Sequence, residues 1–236
     1  MSQLLTMQAQ AKQRVPQHFS EGTPFPLQGT RLGQLFVADW KTRLLLAGVC
    51  FEVTVGDAAN TGAAPAYITG GGAGTTVDSD QPELIVGVDA GMYLIPLECR
   101  VACNADVDAD AEIAEITFFA DTTQAPPTSA TATTETPSAC LDVGIRSVAR
   151  AFSAVTADIT DPVASMQLDH VVVRASDAGT AASAYGTQLR LHYDPSLPKI
   201  LAGPCSVVLC WGGTAAVTGI ATLTWAEVPA AWFEGY

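Results

Sequence analysis

The sequence predicts an all-β protein: an antiparallel β-sandwich of jelly-roll type, with at most one or two short helices. Three observations favour this class. Roughly eight to ten short apolar segments rich in Val, Ile, Thr and aromatic residues are separated by Gly, Pro and Asp turns. Several of these segments alternate apolar and polar residues, as strands do. The third is an uncharged stretch between Lys199 and Glu227.

That uncharged stretch predicts a buried hairpin. Its strands run over 205–211 and 217–228, and the Gly212-Gly213 pair lies between them. In the second strand, Thr218, Thr222 and Thr224 take one side, and the other side is apolar: Val217, Ala221, Leu223 and Trp225. The first strand is apolar on both sides, which is typical of a strand inside a sandwich or beneath a subunit contact. Pro204 and the glycine pair argue against a transmembrane helix.

The chain has few charged residues, and their distribution along the sequence is uneven. Charged residues make up 15%, whereas about 25% is usual, so we expect much of the surface to be covered by other subunits. The alternative is a monomer coated with Thr, Ser and Gln, which are abundant in the chain. The net charge is −13: residues 1–43 carry five basic and two acidic residues (+3), and the remainder carries six and 22 (−16). The acidic body should repel nucleic acid, which leaves Lys12 and Arg14 as the only candidate contacts. We favour the alternative that this basic segment lies across the acidic body of a neighbouring subunit.

Residues 1–43 are predicted to form an extended arm and lead-in, and residues 44–236 a single β-sandwich domain. Prolines 16, 24 and 26 favour extended backbone in the arm. Apolar side chains in these polar surroundings, and the aromatic residues near the C-terminus, are candidate interface residues. They are Phe19, Phe25, Leu27, Trp232, Phe233 and Tyr236.

The domain is divided into strands and two long loops. Strands are predicted over 44–55, 66–69, 83–88, 92–103, 113–120, 166–174 and 187–193, and loops over 56–80 and 121–139. Leu141, Ile145, Val148 and Phe152 recur at helical spacing and predict one helix within 141–155, although Val143 and Ile145 also permit a strand there.

An acidic run follows the fourth of these strands. Asp106, Asp108 and Asp110 lie two residues apart, so they share one side of an extended segment and are candidate cation ligands. Ala111 and Thr117 replace the Gly and Glu that an EF-hand requires. We therefore favour a solvated acidic edge. The glycine-rich run at 70–74 lacks the Lys of a phosphate-binding loop, so no nucleotide cofactor is expected.

The six cysteines predict neither a zinc site nor a local disulfide. None forms a C-x-x-C pair. Cys99 and Cys103 would lie about 13 Å apart along a strand, too far for a disulfide. Since most lie in apolar runs, we expect reduced, buried thiols in a protein folded in a cytoplasm. The N-terminus has no signal-peptide pattern.

The histidines give no catalytic constellation. Asp169 and His170 are adjacent, so on a strand their side chains point to opposite faces. His192, at the end of a strand, is the best candidate for a catalytic or ligand-binding residue, but a structural histidine is favoured there. No G-x-S-x-G motif is present. We predict a protein that is not an enzyme and has no cofactor or small-molecule substrate.

The segment at 91–101, combined with the apolar stretch at 205–228, resembles the jelly-roll virion proteins of bacteriophages. The resemblance covers residues 44–228 in pattern and carries over no functional residue. It implies a capsid shell or decoration subunit that folds in the host cytoplasm and binds copies of itself and other virion proteins, without a membrane. The alternative is a receptor- or carbohydrate-binding module of a trimeric phage spike or fibre, which would use the loops at 56–80 and 121–139.

The arm hypothesis makes a prediction about truncation. Deletion of residues 1–30 should leave the fold intact and stop higher-order association, because the arm would order only on a partner. Circular dichroism and light scattering of the truncated chain measure the two effects. Normal assembly without these residues would contradict the hypothesis.

Overall fold

The computed structural model describes residues 39–56, 67–70, 77–105, 107, 112–128, 130–141, 146–174 and 187–232. Within them strand is the main secondary structure. The elements are helix α1 (Trp40–Leu46), strands β1 (Cys50–Val55), β2 (Ile68–Thr69), β3 (Leu84–Val88), β4 (Met92–Ala105), β5 (Ile113–Asp121), β6 (Thr133–Thr134), β7 (Ser138–Ala139), β8 (Arg150–Ser153), β9 (Met166–Arg174), β10 (Thr187–Tyr193), β11 (Leu201–Ala202), β12 (Cys205–Gly213) and β13 (Val217–Pro229), and a final 3-10 turn (Ala230–Trp232). The predicted all-β class is confirmed.

The strands form two antiparallel sheets that pack as a sandwich. The first sheet has the order β10-β4-β13-β1-β7, with β11 also paired to β4 and β2 to β13. The second has the order β6-β8-β3-β12-β5-β9. Four long-range pairs are nested in the chain: β1 with β13, β3 with β12, β4 with β10, and β5 with β9. This is the pattern of one long antiparallel hairpin rolled into two sheets, which defines a jelly roll.

The main core lies between the sheets and contains two fully buried tryptophans. Trp211 comes from β12 in the second sheet and Trp225 from β13 in the first. Both indole nitrogens donate hydrogen bonds, Trp211 Nε1 to the Ile68 carbonyl (3.3 Å) and Trp225 Nε1 to Glu227 Oε1 (2.8 Å). These large side chains therefore fill the core without leaving their polar atoms unpaired.

Burial along the last two strands follows the predicted pattern. In β13, residues 217, 219, 221, 223 and 225 are buried, whereas the intervening residues are half-buried. All nine residues of β12 are buried, as expected for a strand that is apolar on both faces. One face of β12 joins the main core, and Val208 and Cys210 on its other face pack against Ile85, Phe119 and Phe152.

The predicted hairpin between these two strands is wrong. β12 pairs with β3 and β5, whereas β13 pairs with β1, β2 and β4, so the chain crosses from one sheet to the other between Gly213 and Val217. The reason is that a strand apolar on both faces is best buried in the middle of a sheet. Gly213 has a φ of +138°, and a Cβ there would lie 2.1 Å from the Ile113 carbonyl oxygen.

The predicted helix within 141–155 is also wrong over its described part. Residues 146–149 have no regular structure, and Arg150–Ser153 forms strand β8 between β3 and β6. The helical spacing in the sequence therefore does not correspond to a helix over residues 146–153. Phe152 is buried by the outer cluster of the second sheet, and Arg150 makes a bidentate ion pair with Asp89 (2.6 and 2.9 Å). Strand pairing outweighs the local pattern here.

A helix occurs instead across the predicted boundary at residues 43 and 44. Asp39 caps α1, because its Oδ1 accepts a hydrogen bond from the Thr42 amide (2.8 Å). Trp40, Leu44 and Leu45 pack against Ile95, Leu97 and Val228 on the outer face of the first sheet. The predicted strand 44–55 is therefore shortened to β1 at Cys50, whereas β9 and β10 have the predicted bounds.

The predicted loop at 121–139 contributes to both sheets. β6 pairs with β8 at the edge of the second sheet, and β7 pairs with β1 at the edge of the first. We call residues 122–165 the edge segment.

The edge segment begins at the basal end of the sandwich, which we define as the end where β4 begins and β13 ends. The loop at 56–80 begins at the opposite, apical end, because it follows Val55, which lies opposite Ala221.

Asp121 fixes the beginning of the edge segment. Its buried carboxylate accepts hydrogen bonds from the Thr123 amide (2.7 Å) and hydroxyl (2.6 Å), Gln124 Nε2 (3.0 Å) and the Val163 amide (2.9 Å). Burial acts to raise the pKa of Asp121, but these hydrogen bonds outweigh it and the pKa is lowered. The ionised form is therefore the one that the fold stabilises.

We expect Asp121→Ala to lower the free energy of unfolding by about 2–4 kcal/mol at pH 7, because buried donors lose their acceptor. Since the pKa is lowered on folding, this contribution is present above the unfolded value of about 3.9 and is lost as the pH falls through the folded value. Urea denaturation between pH 7 and pH 3 measures both effects. Asp158→Ala, at an exposed aspartate of the same segment, is the control. Equal losses in the two variants would contradict the role of Asp121.

The crowded backbone at the crossing between the sheets predicts that substitution by alanine destabilises the fold more at Gly213 than at Gly91. Gly213→Ala should cost more than about 3 kcal/mol, because the new Cβ would collide with backbone in addition to the strain of a positive φ. Gly91 also has a positive φ (+89°), but a Cβ there would have no neighbouring atom within 4 Å. Gly91→Ala should therefore cost only about 1 kcal/mol. Denaturant unfolding of both variants tests this, and similar costs would exclude crowding at Gly213.

Candidate functional site

Most residues predicted from the sequence to be functional lie outside the described part of the chain. These are Lys12, Arg14, Phe19, Phe25, Leu27, Asp106, Asp108, Asp110, Phe233 and Tyr236. The backbone of Trp232 ends the final 3-10 turn, but its side chain lies outside the described part as well. Both the arm contacts and the acidic cation candidates therefore stay predictions.

His192 lies in a charged cluster on the outer face of the first sheet. Its Nε2 is 2.9 Å from Glu98 Oε1, which also accepts a hydrogen bond from Arg100 Nε (2.6 Å). The pairing of β10 with β4 places His192 directly opposite Arg100. Burial acts to raise the pKa of Glu98, but the hydrogen bonds from His192 and Arg100 outweigh it and lower the pKa. The sequence gives no signal for Glu98, because this contact depends on the register between two distant strands.

A second ion pair joins α1 to the segment after β10. Lys41 Nζ binds Asp194 Oδ1 and also donates to the Leu97 carbonyl (3.3 Å). The hydrogen bond and the charge of Lys41 lower the pKa of Asp194. Trp40 Nε1 donates to the Ser196 carbonyl (3.3 Å). The cluster thus anchors α1 and residues 194–196 on the sheet.

His170 has an equivalent partner on the second sheet. Its Nε2 is 3.2 Å from Glu115 Oε2 on the neighbouring strand β5. Asp169 lies opposite the buried Phe118 of β5, whereas His170 lies opposite Thr117 and its imidazole turns to Glu115, so the two side chains take opposite faces of β9 as predicted. Glu115 Oε1 also accepts from the Val77 amide (3.2 Å). This pair ties the loop before β3 to the outer face of the second sheet.

The geometry of these clusters suits structural ion pairs. His192 and Arg100 are 58% and 68% exposed on an open sheet surface, where water screens the charges. Two depressions formed by described residues have volumes of about 70 and 270 Å³, at or below the lower end of the ~300–1,000 Å³ typical of ligand sites. Neither includes His170 or His192. The described residues also contain no group of three His, Cys, Asp or Glu side chains placed to hold a metal ion.

Exposed apolar side chains are concentrated at the basal end. They are Leu197 (77% exposed), Val148 (61%), Val163 (53%), Ile200 (52%) and Leu46 (47%). Of the exposed large apolar side chains in the described ranges, Tyr67 and Val172 lie elsewhere. We call the five the basal apolar surface.

Hydrogen bonds and strand register bring these residues to the same end. A row of residues paired across neighbouring strands crosses the first sheet. Leu201 lies opposite Leu94, Leu94 lies opposite Glu227, and the Glu227 amide donates a hydrogen bond to the Val49 carbonyl (2.9 Å). Three inter-strand steps make this row about 14 Å long. Ile200 adjoins one end of it and Leu46 precedes the other. Val148 donates its amide to Glu227 Oε2 (2.7 Å).

Leu197 follows Ser196, whose carbonyl accepts a hydrogen bond from Trp40 Nε1 of α1, and the second sheet contributes Val163. Val163 is held at the end of β5 by the hydrogen bond of its amide to Asp121. The surface is therefore built from four segments that are distant in sequence. Sequence reasoning missed it because Val148, Val163, Leu197 and Ile200 lie in loops, where apolar residues carry no periodic signal.

Comparison with known proteins gives no relative: no family model, no curated protein and no solved structure matches the chain. Among the described residues, no helix is long and apolar enough to cross a membrane.

Proposed function

We propose that this protein is a structural subunit, a shell or decoration component of a virion, that acts by binding copies of itself through the basal apolar surface. The observation that carries the proposal is the concentration of exposed apolar side chains at one end of a jelly roll. Full burial of an exposed Val, Leu or Ile side chain contributes about 1.5–3 kcal/mol. Five such side chains therefore favour association with another protein surface.

Charge favours a second copy as the partner. Residues 1–38 contain three basic residues and one acidic residue, whereas residues 44–236 carry a net charge of −16. The hydrogen bond from Trp40 to Ser196 places the start of the described chain beside Leu197. The basic segment thus joins the fold at the edge of the basal apolar surface, where a neighbouring acidic body would attract it.

The virion assignment depends on the resemblance at 91–101 and 205–228, together with the jelly-roll topology. Viral capsid proteins share that topology with lectin domains and cupins, so topology alone does not choose among them. The spike alternative requires the segments 56–80 and 121–139 to form one tip. They begin at opposite ends of the sandwich, and part of the second is paired to the sheets. Self-assembly is therefore the better-supported function.

The first experiment is light scattering of the full chain across a concentration series, with negative-stain images of the same samples. Rings, closed particles or concentration-dependent oligomers support the proposal. A wild-type protein that stays monomeric throughout the series would overturn it.

A charge placed on the basal apolar surface should weaken association. We expect Leu197→Asp to raise the dissociation constant at least about tenfold, equivalent to about 1.4 kcal/mol, because the carboxylate would have to be desolvated in the contact. Tyr67→Asp is the control, since Tyr67 is also an exposed apolar side chain but precedes β2 at the apical end. Sedimentation velocity measures both. Equal effects of the two substitutions would place the contact elsewhere.

A further inference from the structure

Two of the six cysteines lie opposite each other across an antiparallel strand pair. β1 pairs with β7 through Phe51 with Ala139 and Glu52 with Ser138. Continuing this register by one residue places Cys50 opposite Cys140. The Cys140 amide donates a hydrogen bond to the Cys50 carbonyl (3.0 Å), so the pairing does extend to these residues.

The geometry of such a pair permits a disulfide. Opposite residues in an antiparallel hydrogen-bonded pair have Cα atoms about 5.5 Å apart, and their side chains point to the same face of the sheet. Disulfides span Cα distances of about 4.4–6.8 Å. All six cysteines are free thiols in the structure. Cross-strand partners of the other four are non-cysteine residues: Cys99 faces Leu223 and Tyr193, Cys103 faces Gly219 and Leu189, Cys205 faces Val88, and Cys210 faces Thr117.

The two thiols differ in access. Cys50 is buried in the cluster beneath α1, whereas Cys140 is exposed. Burial raises the pKa of Cys50 to about 12, and the nearby Cys140 thiol adds to this effect, which is consistent with their proximity. Cys140 is therefore the position at which a reagent from solution would react first.

We propose that Cys50 and Cys140 form an oxidation site, which a small-molecule disulfide converts into a cross-strand disulfide that locks β7 onto β1. In the first step, the Cys140 thiolate attacks one sulfur of the reagent, forms a mixed disulfide and releases one thiol. In the second, the Cys50 thiolate attacks the Cys140 sulfur and releases the other thiol. The two cysteines are oxidised by two electrons, the reagent is reduced to two thiols, and the two protons lost by the cysteines go to the leaving thiolates.

The bond would strengthen a weak part of the fold. β7 has two residues and lies at the edge of the first sheet. Its loss would expose the edge of β1 to pairing with other chains. A disulfide would hold the edge segment in place covalently and would close the long loop from residue 50 to residue 140 in the unfolded chain, which stabilises the folded state.

The test uses the full chain, first reduced and then incubated with oxidised glutathione. After an acid quench, alkylation under denaturing conditions and mass spectrometry count the remaining thiols. We expect two of the six thiols to be lost without retained glutathione, and a non-reducing peptide map to join residues 50 and 140. The urea midpoint should shift upward and return on reduction.

Two variants assign the order of reaction. Cys50→Ser should lose one thiol and retain glutathione on Cys140, whereas Cys140→Ser should keep all five of its thiols. The wild-type thiol count does not depend on whether either variant folds. Retention of six thiols by the wild type, a stable glutathione adduct, or a Cys140 link between two chains would each overturn the proposal.

Discussion

The placement of β12 and β13 in opposite sheets is the constraint on which the rest of the structure depends. Each strand is central in its sheet, and each contributes a fully buried tryptophan to the core between them. β12 separates β3 from β5, and β13 separates β1 from β4. Every nested pair of the jelly roll therefore requires one of these strands or lies beside one. The crowded backbone at Gly213, where the chain leaves the second sheet, is a local cost of this arrangement.

Alternation of apolar and polar side chains made the positions of strands predictable, but it did not predict which strands pair with each other. The bounds of β9 and β10 and the buried face of β13 follow from period-two patterns that are local in sequence. A glycine pair between two strands gives the same signal whether the chain turns back in one sheet or crosses to the other, so the pairing of β12 was predicted wrongly. Likewise, the helical spacing of Leu141 and Phe152 was coincidental, because the burial of Phe152 is decided by distant strands.

The clusters of residues on the surface also could not be predicted from local sequence patterns. His192 was singled out by its position at a strand end, but it contacts Glu98 only through the register of β10, and Lys41 contacts the nearby Asp194 only through the docking of α1. The basal apolar surface joins residues from four segments, and the Cys50–Cys140 pair joins residues from strands that are far apart in the chain. Low overall charge predicts extensive contacts with other subunits, and this stays a prediction. The surface proposed for them is defined by strand register and hydrogen bonds between distant segments.

The nested strand pairing also affects how the chain folds during its synthesis. Synthesis proceeds from the N-terminus, and domains generally fold as units once their residues are available. Until residues 205–213 have left the ribosome, neither sheet has its central strand, and β1, β3, β4 and β5 present open edges. From then until Pro229 has left, the first sheet still lacks β13. Such non-local topologies fold slowly. A premature stop before Cys205 would thus release a chain that lacks both central strands, for which a chaperone would have to compensate.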